Sequence, residues 1–323
     1  MTTLPIISLE TIQSSLTEAD ILDAVKGALI AQSRGEVNSP PPGMLQLENP
    51  KGECHMKYGH LKGSDTFVIK IASGFYDNPK MGLSANSGMM LVFSAQTGIP
   101  QCVLDDKGWL TNARTAAAGA LAAKAGAPSN VESVGIIGTG EQAELQAKWT
   151  CKLLGINSVV VYGRTAARVD DYVERMQKDG YDVSVAADVP TLMQRCDLVI
   201  TTTPSNAALI MADDVRPGTH IVAMGCDNPG KQELDAYLFP KAAVIMVDDH
   251  NQCVHHGDLG YAIREGLVPE NKDIALGSVL AGENSGRNSD ADITIVDLTG
   301  IAAEDMAVAG LVWSRQEDRK SVV

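Results

Sequence analysis

Val134-Gly135-Ile136-Ile137-Gly138-Thr139-Gly140-Glu141-Gln142-Ala143 is the stretch of this 323-residue chain that decides the fold. Its first four residues are typical of a buried strand, and the residues after Gly140 begin a helix. Gly138 permits the tight turn, Gly140 lets a pyrophosphate approach the backbone, and Ala143 allows close helix–strand packing. The helix N-terminus adds free N–H groups. The stretch predicts a nicotinamide-dinucleotide site made of Gly138, Thr139, Gly140, Glu141, Gln142 and Ala143. The alternative is a glycine-rich turn without a ligand.

After this turn the chain alternates between predicted strands and helical stretches. The predicted strands are Val134–Ile137, Val159–Tyr162, Val183–Ala186, Leu198–Thr202, His220–Ala223 and Ala243–Val247. This βαβ rhythm is typical of a parallel, doubly wound sheet with helices on both faces. An alanine-rich helix from Thr111 to about Ala125 precedes the first of these strands.

The N-terminal region follows a different pattern. Thr17 and Asp20 mark a helix start, because their spacing allows each side chain to cap a backbone N–H group. The apolar residues of that helix share one face: Ile21, Val25, Ala28 and Leu29. Strand-like segments with no helix between them follow: Met44–Leu47, Thr66–Ile71 and Met89–Phe93. They predict an antiparallel sheet, with a barrel as one form of it, and a last helix over Ile301–Val312 is expected to pack back on this domain.

Composition excludes several classes of function. A net charge of −14 argues against a nucleic-acid surface, which needs clustered Lys and Arg. No apolar run is long enough to cross a bilayer, and the first residues show no secretory signal. The six cysteines are scattered without a Cys-x-x-Cys pair, which indicates reduced thiols. We therefore expect a soluble cytoplasmic protein with neither nucleic acid nor membrane as a partner.

The second strand of the predicted parallel sheet bears on the choice between NAD and NADP. An acidic residue at its end would bind the ribose 2′-hydroxyl of NAD. This chain has Gly163 there, followed by Arg164 and Thr165, and Arg164 is suited to a 2′-phosphate. Arg164 could equally stack on the adenine or face solvent, so NAD and NADP both remain open. Further along, Thr203-Pro204-Ser205 is expected beside the cofactor, with a helix cap as the alternative for Ser205.

Three charged residues stand in apolar or strand-end settings. Lys70 interrupts an apolar strand, Arg114 lies near the start of the alanine-rich helix, and Asp227 follows Met224-Gly225 past the end of a parallel strand. Open α/β sheets bind ligands at that edge. Each residue also has a structural alternative: Lys70 on the solvent face of its strand, Arg114 in a surface ion pair, and Asp227 opening a turn.

With these residues the chain resembles the ornithine cyclodeaminase/μ-crystallin family. The resemblance rests on Leu110-Thr111-Asn112-Ala113-Arg114-Thr115, Gly138-Thr139-Gly140, Thr203-Pro204-Ser205, Asp227-x-Pro229-Gly230-Lys231-x-Glu233-Leu234 and Gly257-Asp258-Leu259. It implies a substrate-binding and dimerisation domain from residues 1–120 with 303–323, and a Rossmann domain from residues 121–302. It also implies a homodimer joined through the substrate-domain sheets.

The resemblance assigns roles to the charged residues. Arg114 corresponds to the clamp on the substrate carboxylate, and a guanidinium suits that role because it forms two parallel hydrogen bonds. Lys70 corresponds to the residue that polarises the amine or imine, and Asp227 to the group that exchanges a proton. Lys57 falls where related enzymes place a second cation. The cofactor-binding residues implied beyond the glycine-rich turn are Thr115, Arg164, Thr165, Thr203, Pro204, Ser205, Met224, Gly225 and Asp227.

The resemblance leaves three functions open. A cyclodeaminase must accommodate a distal ammonium, whereas this chain brings cations to the predicted substrate domain. Those cations are His55, Lys57, His60, Lys62 and Lys70, with Arg114 opposite. They suit a second carboxylate, so we expect an NAD(P)H-dependent reductase of a small imino acid, preferably iminosuccinate to aspartate. An ornithine-type cyclodeaminase and a μ-crystallin-like binding protein are the alternatives. No metal is expected, because His250, His255, His256 and Asp258 lack a recognised ligand spacing.

Overall fold

The structure is a computed structural model that describes residues 4–75 and 77–321. Residues 1–3, 76, 322 and 323 of the predicted substrate domain lie outside the described residues. No helix in the described ranges combines the length and the apolar character needed to cross a bilayer.

The elements fall into two groups along the chain. Those up to residue 126 are β1 (Ile6–Ser8), α1 (Leu9–Ser15), α2 (Glu18–Ser33), β2 (Val37–Asn38), β3 (Gly43–Glu48), β4 (Lys51–Leu61), β5 (Thr66–Gly74), β6 (Asn86–Ser94), β7 (Pro100–Asp105) and α3 (Trp109–Gly126). The later strands are β8 (Val134–Ile137), β9 (Ser158–Tyr162), β10 (Asp182–Val185), β11 (Leu198–Thr201), β12 (Asn206–Ile210), β13 (His220–Ala223), β14 (Gln232–Leu234), β15 (Val244–Val247), β16 (Ile274–Ala275) and β17 (Thr294–Asp297). The later helices are α4 (Glu141–Leu154), α5 (Ala166–Lys178), α6 (Val189–Arg195), α7 (His250–His256), α8 (Leu259–Arg264), α9 (Leu276–Leu280) and α10 (Ala302–Ser321).

These elements form two compact units. Unit 1 comprises residues 1–114 with 301–323, and unit 2 comprises residues 115–300. The fold class predicted from the sequence is confirmed, since unit 2 contains a parallel sheet and unit 1 an antiparallel one.

The sheet of unit 1 has seven strands, with order β1-β7-β6-β5-β4-β2 and β3 paired to β4. Its pairs are antiparallel except for the parallel pair of β1 and β7. The suggestion of a barrel is wrong, because the strand order is open. The sequence also missed β4, the eleven-residue strand that carries Lys57. Every strand of this sheet lies within residues 6–105, and the C-terminal end of the chain contributes a helix.

Helices cover one face of that sheet. In α2 the four residues predicted to share a face are all buried, and Thr17 with Asp20 forms the predicted capping box. The last helix, α10, packs on α2 and on β4, β5 and β6, which confirms that the C-terminal end returns to the first domain. Burial of an apolar helix face on a sheet is the main source of stability in such a layer.

The sheet of unit 2 has eight parallel strands in the order β10-β9-β8-β11-β13-β17-β15-β16. The order reverses between β8 and β11, which is the switch point where sheets of this kind bind ligands at their carboxyl ends. The six predicted strands are present with ends shifted by at most one residue. The sequence missed the central strand β17 and the edge strand β16 of this sheet, and also β12 and β14, which form a separate two-stranded parallel sheet.

Candidate functional site

The glycine-rich turn of unit 2 has the geometry that its sequence predicts. Gly138 adopts a φ of +129°, and a Cβ there would lie 2.5 Å from Thr202 Oγ1. Its N–H group donates to Tyr162 O over 2.9 Å, which ties the turn to the end of β9. Only glycine combines that φ with so close an approach to the neighbouring strand end.

The start of α4 leaves room for a phosphate group. A Cβ on Gly140 would meet no atom within 4 Å. Gly140 is also the N-cap of α4, and as a glycine it places no side chain in front of the first turn of that helix. Ala143 is fully buried, as close packing of α4 on the sheet requires. The open space in front of the helix N-terminus therefore fits a pyrophosphate.

The end of β9 carries no carboxylate. Gly163 packs against Thr139, since a Cβ there would lie 2.6 Å from Thr139 Cγ2. Arg164 and Thr165 are exposed, and Thr165 is the N-cap of α5 without a side-chain hydrogen bond. Glu141 is exposed as well, and Gln142 accepts a hydrogen bond from Gln146 Nε2 over 3.3 Å.

The ends of β11 and β13 are joined by Glu233, a fully buried carboxylate. Its Oε1 accepts from Thr203 N at 2.6 Å and from Thr203 Oγ1 at 2.7 Å. Its Oε2 accepts from Thr201 Oγ1 at 2.6 Å and from Gly225 N at 2.7 Å. Burial raises the pKa of Glu233, and these four donors oppose that rise. A Cβ on Gly225 would collide with Thr203 O, so the two strand ends are in direct contact.

A second buried carboxyl supports the same region. Asp258 Oδ1 accepts from the N–H groups of Glu233 and Leu234 at 2.9 and 3.0 Å. Burial, and then the charge of Glu233, raise the pKa of Asp258 to about 7. Asp297, at the end of β17, accepts from Leu259 N at 2.9 Å, and burial raises its pKa as well. These carboxyls hold backbone N–H groups at the carboxyl edge of the sheet.

Thr115 and Met224 lie in unit 2, where helices α3 and α4 approach each other. Gln146 of α4 donates through Nε2 to Thr115 O over 2.8 Å. A Cβ on Gly119 would collide with Gln146 Oε1 and would lie 2.7 Å from Met224 Sδ. The close approach of α3 to α4 thus brings Thr115, Met224 and the glycine-rich turn into one region.

Asp227 lies in the loop after β13 and pairs with Lys231, whose Nζ is 2.6 Å from Asp227 Oδ1. The Asp227 side chain is 47% exposed, so a reacting group can reach it. The backbone turns directly after it, with Lys231 N donating to Asn228 O, as the structural alternative expects.

The loop after β11 differs from one structural alternative that the sequence left open. The helix-cap alternative for Ser205 is wrong, because the strand β12 follows it. Ser205 Oγ instead donates to Ala207 O over 2.6 Å, and Ala207 N donates back to it. Pro204 beside it is exposed.

Unit 1 holds a charged cluster that comprises Lys57, Lys70, Arg114, Glu304 and Asp305; Lys57 is half-buried and the other four are buried. Asp305 Oδ2 lies 2.8 Å from Lys70 Nζ, and Asp305 Oδ1 accepts from Arg114 Nε at 3.0 Å. Glu304 Oε2 accepts from Arg114 Nη1 at 2.9 Å. Lys70 is 3% exposed and Arg114 is 6% exposed. The solvent-facing alternative for Lys70 and the surface ion pair for Arg114 are therefore wrong.

The pKa values of the residues in the charged cluster depend on one another. Burial lowers the pKa of Lys70 to about 7, helped by Arg114 and Lys57 and opposed by Asp305. Burial would also lower the pKa of Arg114, but Asp305 and Glu304 raise it above its usual value. Burial would raise the pKa of Asp305, yet the three cations hold it below its usual value. Lys70 is thus close to equal populations of its two protonation states at neutral pH.

The strand register shows which of the other predicted cations share a face of the sheet with Lys70. Lys57 pairs directly with Lys70 across β4 and β5, so both side chains point to the same face, and His55 shares it by alternation. His55 Nε2 lies 3.6 Å from Glu53 Oε2. His60 has the opposite parity, and Lys62 lies in the turn beyond β4 and is exposed. The structure therefore brings together Lys57, Lys70 and Arg114, but not His60 or Lys62.

The histidine-rich stretch around His250 has other partners. His250 Nδ1 lies 3.0 Å from Asp273 Oδ1, and Asp258 binds backbone N–H groups. In the part of the chain that the structure describes, no group of three His, Cys, Asp or Glu side chains could hold a metal ion.

Sequence reasoning did not identify Glu233, Glu304 or Asp305 as site residues. Their position in the sequence was the signal that could have identified them. Glu304-Asp305 interrupts an apolar C-terminal helix, and buried carboxylates in such a place need cationic partners. Glu233 lies in a polar stretch that predicts an exposed loop, so the sequence does not indicate that its side chain is buried.

Comparisons with known proteins cover nearly the whole chain. The model of the ornithine cyclodeaminase/mu-crystallin family matches residues 5–320. An uncharacterized cyclodeaminase of Sinorhizobium fredii is 36% identical over 287 residues, which are 88% of this chain and 87% of the relative.

Two solved structures with bound cofactor share the fold. An archaeal alanine dehydrogenase dimer with bound NAD superposes with a TM-score of 0.89 at 34% identity, covering 98% of this chain and 97% of that one. The iminosuccinate reductase of Paracoccus denitrificans in complex with NAD+ superposes with a TM-score of 0.87 at 27% identity, with the same coverage of 98% and 97%.

Proposed function

Because the chain belongs to the ornithine cyclodeaminase/μ-crystallin family, we propose that it reduces a small 2-imino acid to the L-amino acid with NADH or NADPH, or catalyses the reverse dehydrogenation. The predicted enzyme class is confirmed: the chain is an NAD(P)-dependent oxidoreductase of CH–NH₂ or C=N groups. The choice between NAD and NADP stays open, since no carboxylate follows β9 and the exposed Arg164 is free to meet a 2′-phosphate.

The buried cations of unit 1 are the observation that carries the proposal. Arg114 uses Nε and Nη1 to bind the two acids, which leaves Nη2 for a substrate carboxylate. Lys70 lies beside it, and with a pKa of about 7 its ammonium group can donate a hydrogen bond or a proton to an imine nitrogen. A carboxylate binder next to a proton donor is what an imino acid needs.

We assign the remaining roles by the predicted motifs. The bound cofactor supplies the hydride that reduces the imine carbon. Asp227 exchanges a proton with the substrate nitrogen or with water, and Lys231 at 2.6 Å holds its carboxylate in place. The proposed cofactor-binding residues are Thr115, Gly138, Thr139, Gly140, Glu141, Gln142, Ala143, Arg164, Thr165, Thr203, Pro204, Ser205, Met224, Gly225 and Asp227.

We also propose the predicted domain roles, with residues 1–120 and 303–323 binding substrate and residues 121–302 binding the dinucleotide. A homodimer through the sheet of unit 1 is supported by the apolar side chains that it exposes. Leu45, Met56, Tyr58 and Met89 point to the same face by register and are 38–53% exposed. An apolar face of this kind marks an interaction surface. The cytoplasmic location stays a prediction.

The substrate side chain is the finer part of the proposal. Iminosuccinate, with aspartate as the product, is the candidate predicted from the sequence, and Lys57 is the cation suited to its second carboxylate. The second candidate is 2-iminopropanoate, with alanine as the product. It is favoured because two of the cations on this face already bind carboxylates.

A substrate panel tests the proposed function. Oxidation of NADH and of NADPH is followed with imines formed from pyruvate, oxaloacetate or glyoxylate and ammonia or methylamine. We expect turnover with at least one imino acid. Incubation with ornithine and NAD is the discriminating arm, because proline and ammonium without net NADH would show a cyclodeaminase. Cofactor binding without turnover in any arm would show a μ-crystallin-like binding protein.

A further inference from the structure

We propose that Asp258 and Asp297 share one proton, and that this acid pair is the support on which Glu233 holds the strand ends of the proposed cofactor site. The shared proton stands independently of the proposed function. The role of the pair in the cofactor site rests on that function and deepens it, because it makes both acids positioning residues for the dinucleotide.

Each of the two carboxyl groups uses only one of its oxygens. Asp258 Oδ1 accepts from the N–H groups of Glu233 and Leu234 at 2.9 and 3.0 Å, and Asp297 Oδ2 accepts from Leu259 N at 2.9 Å. Asp258 Oδ2 and Asp297 Oδ1 are buried and have no hydrogen-bond donor among the described residues. A buried carboxylate oxygen without a donor is costly. One proton held between the two acids satisfies both oxygens at once.

The two carboxyl groups lie on the same short segment of backbone. Asp297 binds the N–H group of Leu259, the residue directly after Asp258. A Cβ on Gly257, the residue directly before Asp258, would collide with Asp297 Oδ2. Burial, and then the charge of Asp258, raise the pKa of Asp297 well above its usual value. Two neighbouring carboxyls in a buried setting do not both ionise, so such a pair retains a proton.

None of the groups that act most strongly on the pair is a cation. They are acids, thiols and a phenol: Glu233 of β14, Asp248 after β15, Cys226 after β13, Cys253 of α7 and Tyr261 of α8. His256 of α7 is half-buried, and its backbone O accepts from Cys226 Sγ at 3.2 Å. Within residues 4–75 and 77–321, neither Asp258 nor Asp297 forms an ion pair with Lys, Arg or His. A proton therefore takes the place of a counter-charge.

The pair reaches the proposed cofactor site through Glu233. Asp258 binds the backbone N–H group of Glu233, and the Glu233 side chain accepts from Thr203 N at 2.6 Å and from Gly225 N at 2.7 Å. Thr203 and Gly225 are among the proposed cofactor-binding residues. Loss of the backbone bonds of Asp258 would therefore release the residue that joins the ends of β11 and β13.

Asparagine substitutions test the shared proton, because one amide group can replace it but two cannot. In Asp258→Asn the amide oxygen still accepts from Glu233 N and Leu234 N, while the NH₂ group donates to Asp297. In Asp297→Asn the amide oxygen accepts from Leu259 N, and the NH₂ group donates to Asp258. When both residues are asparagine, two NH₂ groups meet, and one amide must give up its backbone N–H groups to avoid the other.

The first measurement is a double-mutant cycle on stability, by urea denaturation at neutral pH. We expect each single substitution to change the equilibrium constant of unfolding by less than about tenfold. The double substitution should change it by about a hundredfold or more beyond the product of the two single effects. NADH affinity, from fluorescence titration, should show a coupling of about tenfold in the same direction. Asp171→Asn and Asp182→Asn are the matched control pair, because both are exposed acids of unit 2 and their effects should simply multiply.

The dependence of stability on pH is a second readout, which a purely structural contact would not change. Burial, and then the charge of Glu233, raise the pKa of Asp258 to about 7 from an unfolded value near 3.8, so the folded protein retains a proton that the unfolded chain releases. The stability that this proton contributes is complete below the unfolded pKa and is lost as the pH rises through the folded pKa. Asp258→Asn lacks this loss. The variant should therefore gain stability relative to the unaltered protein from about pH 4.5 to 7.5, by about tenfold or more in the unfolding constant. His220 is present in both proteins, so its titration cancels in the comparison.

The outcomes separate the inference from the proposed function. Single effects that simply multiply in the double variant, or a stability difference that is constant across pH, would overturn the shared proton. Coupling in stability without coupling in NADH affinity would overturn the role of the pair in the cofactor site. An unaltered protein that binds no NADH but shows the coupling in stability would overturn the proposed function and leave the shared proton standing. A double variant that fails to fold, beside two single variants that fold, is the expected coupling in its strongest form.

Discussion

Replacing Glu233 with glutamine tests whether the carboxylate between β11 and β13 holds the two strand ends. Each carboxylate oxygen accepts one backbone N–H group, from Thr203 on one side and from Gly225 on the other. A glutamine offers only one oxygen, so in either orientation its NH₂ group faces one of these N–H groups. The hydroxyls of Thr201 and Thr203 can rotate to accept, but a backbone N–H cannot.

The magnitude follows from this count. One buried N–H left without an acceptor costs about 1–3 kcal/mol, and the remaining bonds lose the strength that a charged acceptor gives them. The lower desolvation cost of a neutral amide offsets part of the loss, as the raised pKa of Glu233 implies. We expect Glu233→Gln to lower the free energy of unfolding by about 2 kcal/mol. We expect it to weaken NADH binding about tenfold, because Thr203 and Gly225 lie in the proposed cofactor site.

Two assays separate these effects: urea denaturation reports the stability, and fluorescence titration reports the NADH affinity. Glu132→Gln is the control, since Glu132 is an exposed acid of the same unit. Stability and NADH affinity both equal to those of the unaltered protein would refute the hydrogen-bond argument. A loss of stability with unchanged NADH affinity would limit Glu233 to a role in the fold.

Two further predictions follow from single side chains. Burial lowers the pKa of His220 to about 4 from an unfolded value near 6.5. Above pH 6.5 the imidazole is neutral in both states, so no stability is lost there through its protonation. The free energy of unfolding should fall by up to about 3 kcal/mol as the pH drops from 6.5 to 4. In His220→Gln the urea midpoint should depend less steeply on pH across this range. An equal dependence on pH in both proteins would contradict the assignment of the effect to His220. Asp227→Asn should remove most turnover yet leave the NADH dissociation constant nearly unchanged, because the Asp227 side chain is exposed and its carboxylate pairs with Lys231. Equal losses of both would count against a chemical role.

The parallel sheet was largely predictable from the sequence because its strands are buried on both faces. Val134–Ile137 and His220–Ala223 are recognisable to the residue, since a buried strand is a continuous run of apolar or β-branched residues. Strand β4 was missed, although residues 53–58 alternate polar and apolar side chains as a strand does. Its polar positions include His55 and Lys57 on the face of the charged cluster, so the segment lacks the continuous apolar run by which the other strands were predicted.

Long-range pairing explains what the sequence could not give for the site. Lys70 and Arg114 were predicted as site residues from local patterns and the family resemblance. Their partners Glu304 and Asp305 lie 190 and 191 residues beyond Arg114 and further still beyond Lys70, and no local pattern connects them. Glu233 could not be identified for the same reason, because its hydrogen bonds link the ends of β11 and β13, which lie apart along the chain.

The place of the last elements along the chain has a consequence for synthesis. Strand β17 pairs with both β13 and β15, and α10 covers the sheet of unit 1. Both elements are synthesised after the strands on which they pack, so each unit needs a late segment of the chain to complete its core. Until α10 docks, Lys70 and Arg114 lack their acidic partners, so the charged cluster forms only when that helix packs on the sheet. Truncation within α10 should therefore produce an aggregation-prone protein rather than a weakened enzyme.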